Sequence, residues 1–213
     1  MVVLAGHATE QVLAAVGRSL NVVLVRPEEP PSSAGTGIAA ASAALRRAAG
    51  IAAPYVLVAA DPLSSVAAAW QAMWEVAAEP RGSDEFELRA AETLAAWRAK
   101  QFELPDYYLV LAEETAPGRA DAPGASGVSS ASAAGALRAD FYLGPLRAVR
   151  PNRVSVAAEA TPAAQVDALL SELGSLRHGP WWPSLDEIFR TARGFYPGTL
   201  AESSSAGQAT LLY

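Results

Sequence analysis

The chain has 213 residues, 51% of them hydrophobic and 18% charged, which excludes a disordered protein and suits one globular domain with a generous apolar interior. Its net charge of −6 and its single lysine, Lys100, argue against indiscriminate nucleic-acid binding. With no cysteine and only His7 and His178 as imidazoles, disulfides, thiolate metal centres and cysteine nucleophiles are excluded, and no metal or other cofactor is expected.

The N-terminal half alternates short apolar runs with amphipathic stretches. Val2 to Ala5 reads as a strand, and Thr9 then caps a helix with Val12, Leu13, Val16 and Leu20 on one face. The uninterrupted Val22-Val23-Leu24-Val25 run marks a strand covered on both sides. A Pro, Ser and Gly loop leads to a helix over 37–49, and Pro54 to Ala60 is the next buried strand. This βαβαβ order predicts a parallel sheet. The start, Met1 to Gln11, lacks the basic segment and long apolar run of a secretory leader, so cytoplasmic residence is expected.

From Ala48 to Trp74 the only charge is Asp61, a span long enough for a membrane helix. Pro54 and the Asp61-Pro62 pair instead divide it into a strand and a helix, with Asp61 as N-cap and Pro62 in the first turn, and no membrane span is expected. That helix, striped by Leu63, Val66, Trp70 and Met73, is apolar nearly all round and therefore belongs in the core or, as the alternative, in a homodimer interface. Ser83 opens another helix with acids in its first turn and Phe86, Ala90, Leu94 and Trp97 on one face. Asp106 to Ala112 is the clearest strand.

Residues 115–136 are Gly, Ser, Ala and Pro with few large side chains, and a mobile loop is expected there. Leu137 to Leu143 and Arg153 to Glu159 read as two further strands joined through a basic hairpin. Thr161-Pro162 opens a helix with Val166, Leu169, Leu170 and Leu173 on one face, and Ser184 to Glu187 is a capping box for the last helix. The prediction is a single three-layer α/β domain over 1–200: a mainly parallel N-terminal sheet, extended by strands near 107, 140 and 155, with helices on both faces and a flexible tail over 201–213. A looser α+β arrangement is the rival.

Two sets of residues carry candidate chemistry. Arg147, Arg150, Arg153, Arg177 and His178 lie near Trp181 and Trp182, with Tyr142 and Phe195 as further rings. Guanidinium groups hold anions while flat rings pack on an apolar portion, so this surface suits a partner protein or an acidic small molecule. The bland reading is that the paired tryptophans staple the last helix to the sheet. On this view the protein is a non-catalytic binding or interaction protein.

The rival is an enzyme, a hydrolase or transferase, acting on a phosphorylated or carboxylated metabolite at the carboxyl ends of the parallel strands. His7, Thr9, Glu28, Glu29, Asp61, Glu113 and Glu114 all follow strand ends, with His7, Asp61 and Glu113 as the catalytic candidates. Their bland reading is a set of helix caps and solvated loop acids. The Gly35-Thr36-Gly37 turn matches no phosphate-binding fingerprint, and Gly124-Ala125-Ser126-Gly127 has the wrong spacing for a nucleophile elbow.

Overall fold

The computed structural model describes residues 1–6, 9–28, 37–75, 81–112, 139–159, 161–176 and 179–195. Five strands form one parallel sheet: β1 (Val2–Gly6), β2 (Val22–Val25), β3 (Tyr55–Val58), β4 (Tyr107–Ala112) and β5 (Val154–Ala158), in the spatial order β2-β3-β1-β4-β5. Helices cover both faces, as the three-layer α/β expectation requires, and the α+β rival falls. The expected mobile loop over 115–136 and tail over 201–213 lie outside the described residues.

The strand sequences explain their positions. β1 and β4 run side by side through the middle of the sheet, and Val3, Tyr108, Leu109, Val110 and Leu111 are fully buried. Strands covered on both faces must be apolar at successive positions, which is why these segments show no alternation. One core layer joins α1 (Glu10–Val16) and α5 (Pro162–Ser175) to Val2, Leu4, Leu57, Leu109 and Leu111. The larger layer packs α2 (Gly37–Ala49), α3 (Ser64–Glu75), α4 (Arg81–Arg98) and α6 (Leu185–Gly194) on the opposite face.

The helices follow local rules at most ends. The Thr9 hydroxyl accepts from Val12 N at 3.3 Å, Thr161 accepts from Ala164 N at 3.3 Å, and Ser184 accepts from Glu187 N at 3.4 Å. The near-uncharged helix α3 is a core element, with Trp70 buried and its indole N–H donating to Ala192 O at 2.7 Å. No helix among the described residues is long and apolar enough to cross a membrane.

Two expectations require correction. Leu20 is 91% exposed because α1 stops at Val16 and the chain turns through Asn21, which has φ of 63°. The strand expected near 140, and with it the basic hairpin, is absent from the described part of that segment: residues 139–141 are helical, Tyr142–Leu146 widens into a π-helical turn, and Arg147–Val149 closes the segment. Pro145 accounts for the departure. It has no N–H for a strand ladder or a regular helical bond, and a helix absorbs that loss by widening locally.

The sheet order creates a crevice. The connection from β1 to β2 crosses the α1 face, whereas those leaving β2, β3 and β4 cross the face of α2, α3 and the π-containing segment. Opposite directions on opposite faces preserve a single crossover hand. The chain leaving β1 therefore diverges from the chains leaving its neighbours β3 and β4, and the carboxyl end of β1 is a topological switch point.

Candidate functional site

A cleft of about 260 Å³ opens at this switch point, lined by Leu4, Ala5 and Gly6 of β1, Pro27 after β2, Ala59, Ala60 and Asp61 after β3, and by α2, α3 and the π segment. Its volume lies just under the roughly 300 Å³ from which pockets for drug-sized ligands begin. Gly6 makes the floor. Its φ is 87°, and a Cβ there would sit 2.4 Å from the carbonyl oxygen of Leu111, so only glycine permits β1 and β4 to end in this register.

Among the described residues Asp61 carries the only ionisable carboxylate on the cleft wall, and it is held from two directions. Leu63 N–H donates to Oδ1 at 2.9 Å, the N-cap bond anticipated from Asp61-Pro62. The Tyr142 hydroxyl, brought over the strand ends by the π turn, donates to Oδ2. No arginine or lysine among the described residues pairs with this carboxylate. Burial pushes the Asp61 carboxyl from 3.8 up to about 6, outweighing the Tyr142 and Leu63 bonds, which favour the charged form.

Tyr108 lies beneath this pair, fully buried and 5.6 Å from the Tyr142 ring. Among the described residues its hydroxyl meets no acceptor in good hydrogen-bonding geometry, yet it lies close enough to Asp61 to act on that carboxylate as a third and weaker donor and to feel its charge. Burial first, and then the Asp61 charge, push the Tyr108 hydroxyl well above its ordinary range, so it stays protonated.

The other strand-end candidates separate from Asp61. Thr9 is spent as the cap of α1, and Glu28 is exposed and pairs with Arg47 at 3.1 Å. His7, Glu29, Glu113 and Glu114 lie outside the described residues, among which no three metal-ligating side chains gather. Sequence reasoning anticipated Asp61 but took Tyr142 for a stacking ring. The available signal was Pro145 within a helix-spaced Phe141, Tyr142 and Leu146 pattern, which announces a distorted helix and redirects the Tyr142 hydroxyl.

The aromatic and arginine surface is built differently. Arg153 is only 7% exposed and its guanidinium is consumed by backbone: Nε donates to Pro180 O at 2.6 Å, one terminal nitrogen to Asp106 O at 2.8 Å and the other to Gly179 O at 2.9 Å. It also lies 4.5 Å from the centroid of the Trp181 ring. Arg150 donates to Trp181 O at 2.6 Å and to Val149 O at 2.8 Å. Trp182 is buried against Tyr108, and its indole N–H donates to Pro105 O at 2.7 Å.

These contacts fasten the segment before α6 to the sheet. Arg147 stands apart, on a groove with Asn152 and Glu172, while Arg177 and His178 lie outside the described residues. What remains open is Trp181, 54% exposed, beside a groove lined by Trp97, Glu103 and Leu104. Phe195 is packed on the π segment, where Gly144 leaves the space its ring edge occupies. No protein-family model matches the chain, and neither a curated protein nor a solved structure matches it.

Proposed function

We propose that this is a small-molecule-binding protein whose site is the cleft at the carboxyl ends of β1, β2 and β3, with Asp61 as the anchoring acceptor. The observation that carries this reading is a carboxylate with no cationic partner among the described residues, fixed by Tyr142 and Leu63 on the wall of a cleft at the switch point. Apolar walls from Leu4, Ala5, Pro27, Ala40, Ala41 and Ala59 supply contact area, and Asp61, Ser64 and Tyr142 supply orientation. Cytoplasmic residence belongs to this proposal.

The catalytic rival uses the same side chain. A carboxyl that titrates at about 6 in a cleft suits a general base at neutral pH, with Tyr142 as its hydrogen-bonded neighbour. A partner protein at the aromatic face is favoured by one observation only, the exposure of Trp181 beside the Trp97 groove. An acidic ligand there has less support, because Arg150 and Arg153 already serve backbone carbonyls.

A thermal-shift screen of small metabolites against the wild type and Asp61→Asn tests the proposal, since a ligand selective for the folded state raises its melting temperature. Compounds that stabilise the wild type are expected to lose that effect in the variant. Equal stabilisation of both proteins by every active compound overturns the cleft as the site, and a response kept in Asp61→Asn but lost in a Trp181→Ala variant moves the site to the aromatic face.

A further inference from the structure

The described cleft wall has an unbalanced charge. Asp61 is its only ionisable carboxylate, and neither an arginine nor a lysine is among the residues that line it. Each carboxylate oxygen has already accepted one bond, from Leu63 N–H and from the Tyr142 hydroxyl, and each keeps a further lone pair. Those two neutral donors orient the group without cancelling its charge. The amino end of α2, at Gly37, borders the same cleft, but a helix terminus offers only about half an elementary charge, within its first turn. A phosphate or carboxylate entering here would meet a fixed negative charge, with no guanidinium among the described lining residues to receive it.

We propose that the cleft takes a small amine, with its ammonium group against the Asp61 carboxylate and its hydrocarbon body along the walls of Leu4, Ala5, Pro27, Ala40 and Ala59. The inference rests on the cleft being the binding site and adds the class of ligand. An ammonium supplies what the site lacks: a full positive charge and several N–H donors for the open lone pairs of Asp61 and the exposed Ser64 hydroxyl. Alanines line much of the cleft without adding polar groups, so selectivity falls on charge and hydrocarbon length rather than on a pattern of polar contacts.

Four probes of similar size or opposite charge decide the matter: n-butylamine, 1-butanol, butyrate and inorganic phosphate, each titrated into the 15N-labelled protein at pH 8 while the amides of Gly6, Ala59, Ala60, Asp61, Leu63 and Ser64 are followed. Butylammonium is expected to shift those amides, and butyrate and phosphate to leave them unmoved. Its affinity is expected to fall at least about ten-fold in Asp61→Asn, and about ten-fold in the wild type between pH 8 and pH 5, where the amine stays charged and most of Asp61 has taken up a proton. Tyr108, which faces Asp61 from β4, is held well above its ordinary range and stays protonated there, and Tyr142 faces the same carboxylate from the π segment.

Butanol binding as tightly as butylammonium, or butyrate or phosphate shifting the same amides, overturns the amine while leaving the cleft as the site. Silence of those amides towards all four probes removes both. Affinity for butylammonium that is indifferent to pH and to Asp61→Asn also overturns the assignment, because the amine would then be held by its hydrocarbon alone.

Discussion

Replacing Asp61 by Asn should stabilise the protein at pH 8 and leave it almost unchanged at pH 4.5. The folded carboxyl ionises near 6 because burial opposes its charge, whereas in the unfolded chain it ionises near 3.8. Between these values the folded state keeps a proton that the unfolded state has lost, so stability falls as pH rises through the window. Above pH 7 the accumulated penalty is about 3 kcal/mol, at about 1.4 kcal/mol per pH unit, and at pH 4.5 it is only about 1 kcal/mol.

Asparagine removes the titration and retains one acceptor oxygen, so it keeps the Tyr142 or the Leu63 bond but not both, at a cost of about 1 kcal/mol. The net expectation is a gain of about 2 kcal/mol at pH 8 and about zero at pH 4.5. For a chain of this length that corresponds to a rise of roughly 4–8 °C in Tm at the higher pH. Calorimetry or urea unfolding of both proteins across pH 4.5–8 measures the difference. A difference independent of pH would refute the argument that burial of an unpaired carboxylate dominates this site. A gain in stability accompanied by loss of ligand response would mark Asp61 as a group retained for function at the expense of stability.

Two further substitutions probe the supports of each surface. Tyr142→Phe deletes a bond that favours the charged carboxylate, so the Asp61 titration should move further above 6; a 13C carboxyl titration showing it unmoved or lowered would contradict the arrangement. Arg153→Met orphans three backbone carbonyls and should cost about 3–5 kcal/mol, since each charged hydrogen bond or abandoned acceptor counts for about 1–3 kcal/mol. Its urea midpoint should fall with an unchanged slope, and a loss under about 1 kcal/mol would mean that Arg153 is not the clamp its contacts indicate.

The chain by itself determined the parts of this protein that depend on near neighbours. Tyr107 to Ala112 is legible as a strand because burial on both faces of a parallel sheet demands successive apolar side chains; Val22 to Val25 reads the same way but forms the sheet edge, where Val23 is 37% exposed, so its expected cover on both sides is not found; and Thr9, Asp61, Thr161 and Ser184 are legible as caps because each serves an amide two or three residues on. Leu20 misled because a helical spacing continues on paper past the residue at which α1 ends, and the segment around 140 misled because its apolar residues admit either period until Pro145 is given its due.

Tertiary structure decided what the polar groups do. Tyr142 meets Asp61 across 81 positions of chain, and Arg153 reaches carbonyls 26, 27 and 47 positions away. No local rule connects such residues. An arginine that looks free to hold an anion becomes a fastener when carbonyls surround it, and an aspartate that caps a helix becomes a candidate anchor when folding brings a hydroxyl to it and, among the described residues, no cation. Burial and long-range partnership set the availability of a charge, and both exist only once the sheet and its covering helices have assembled.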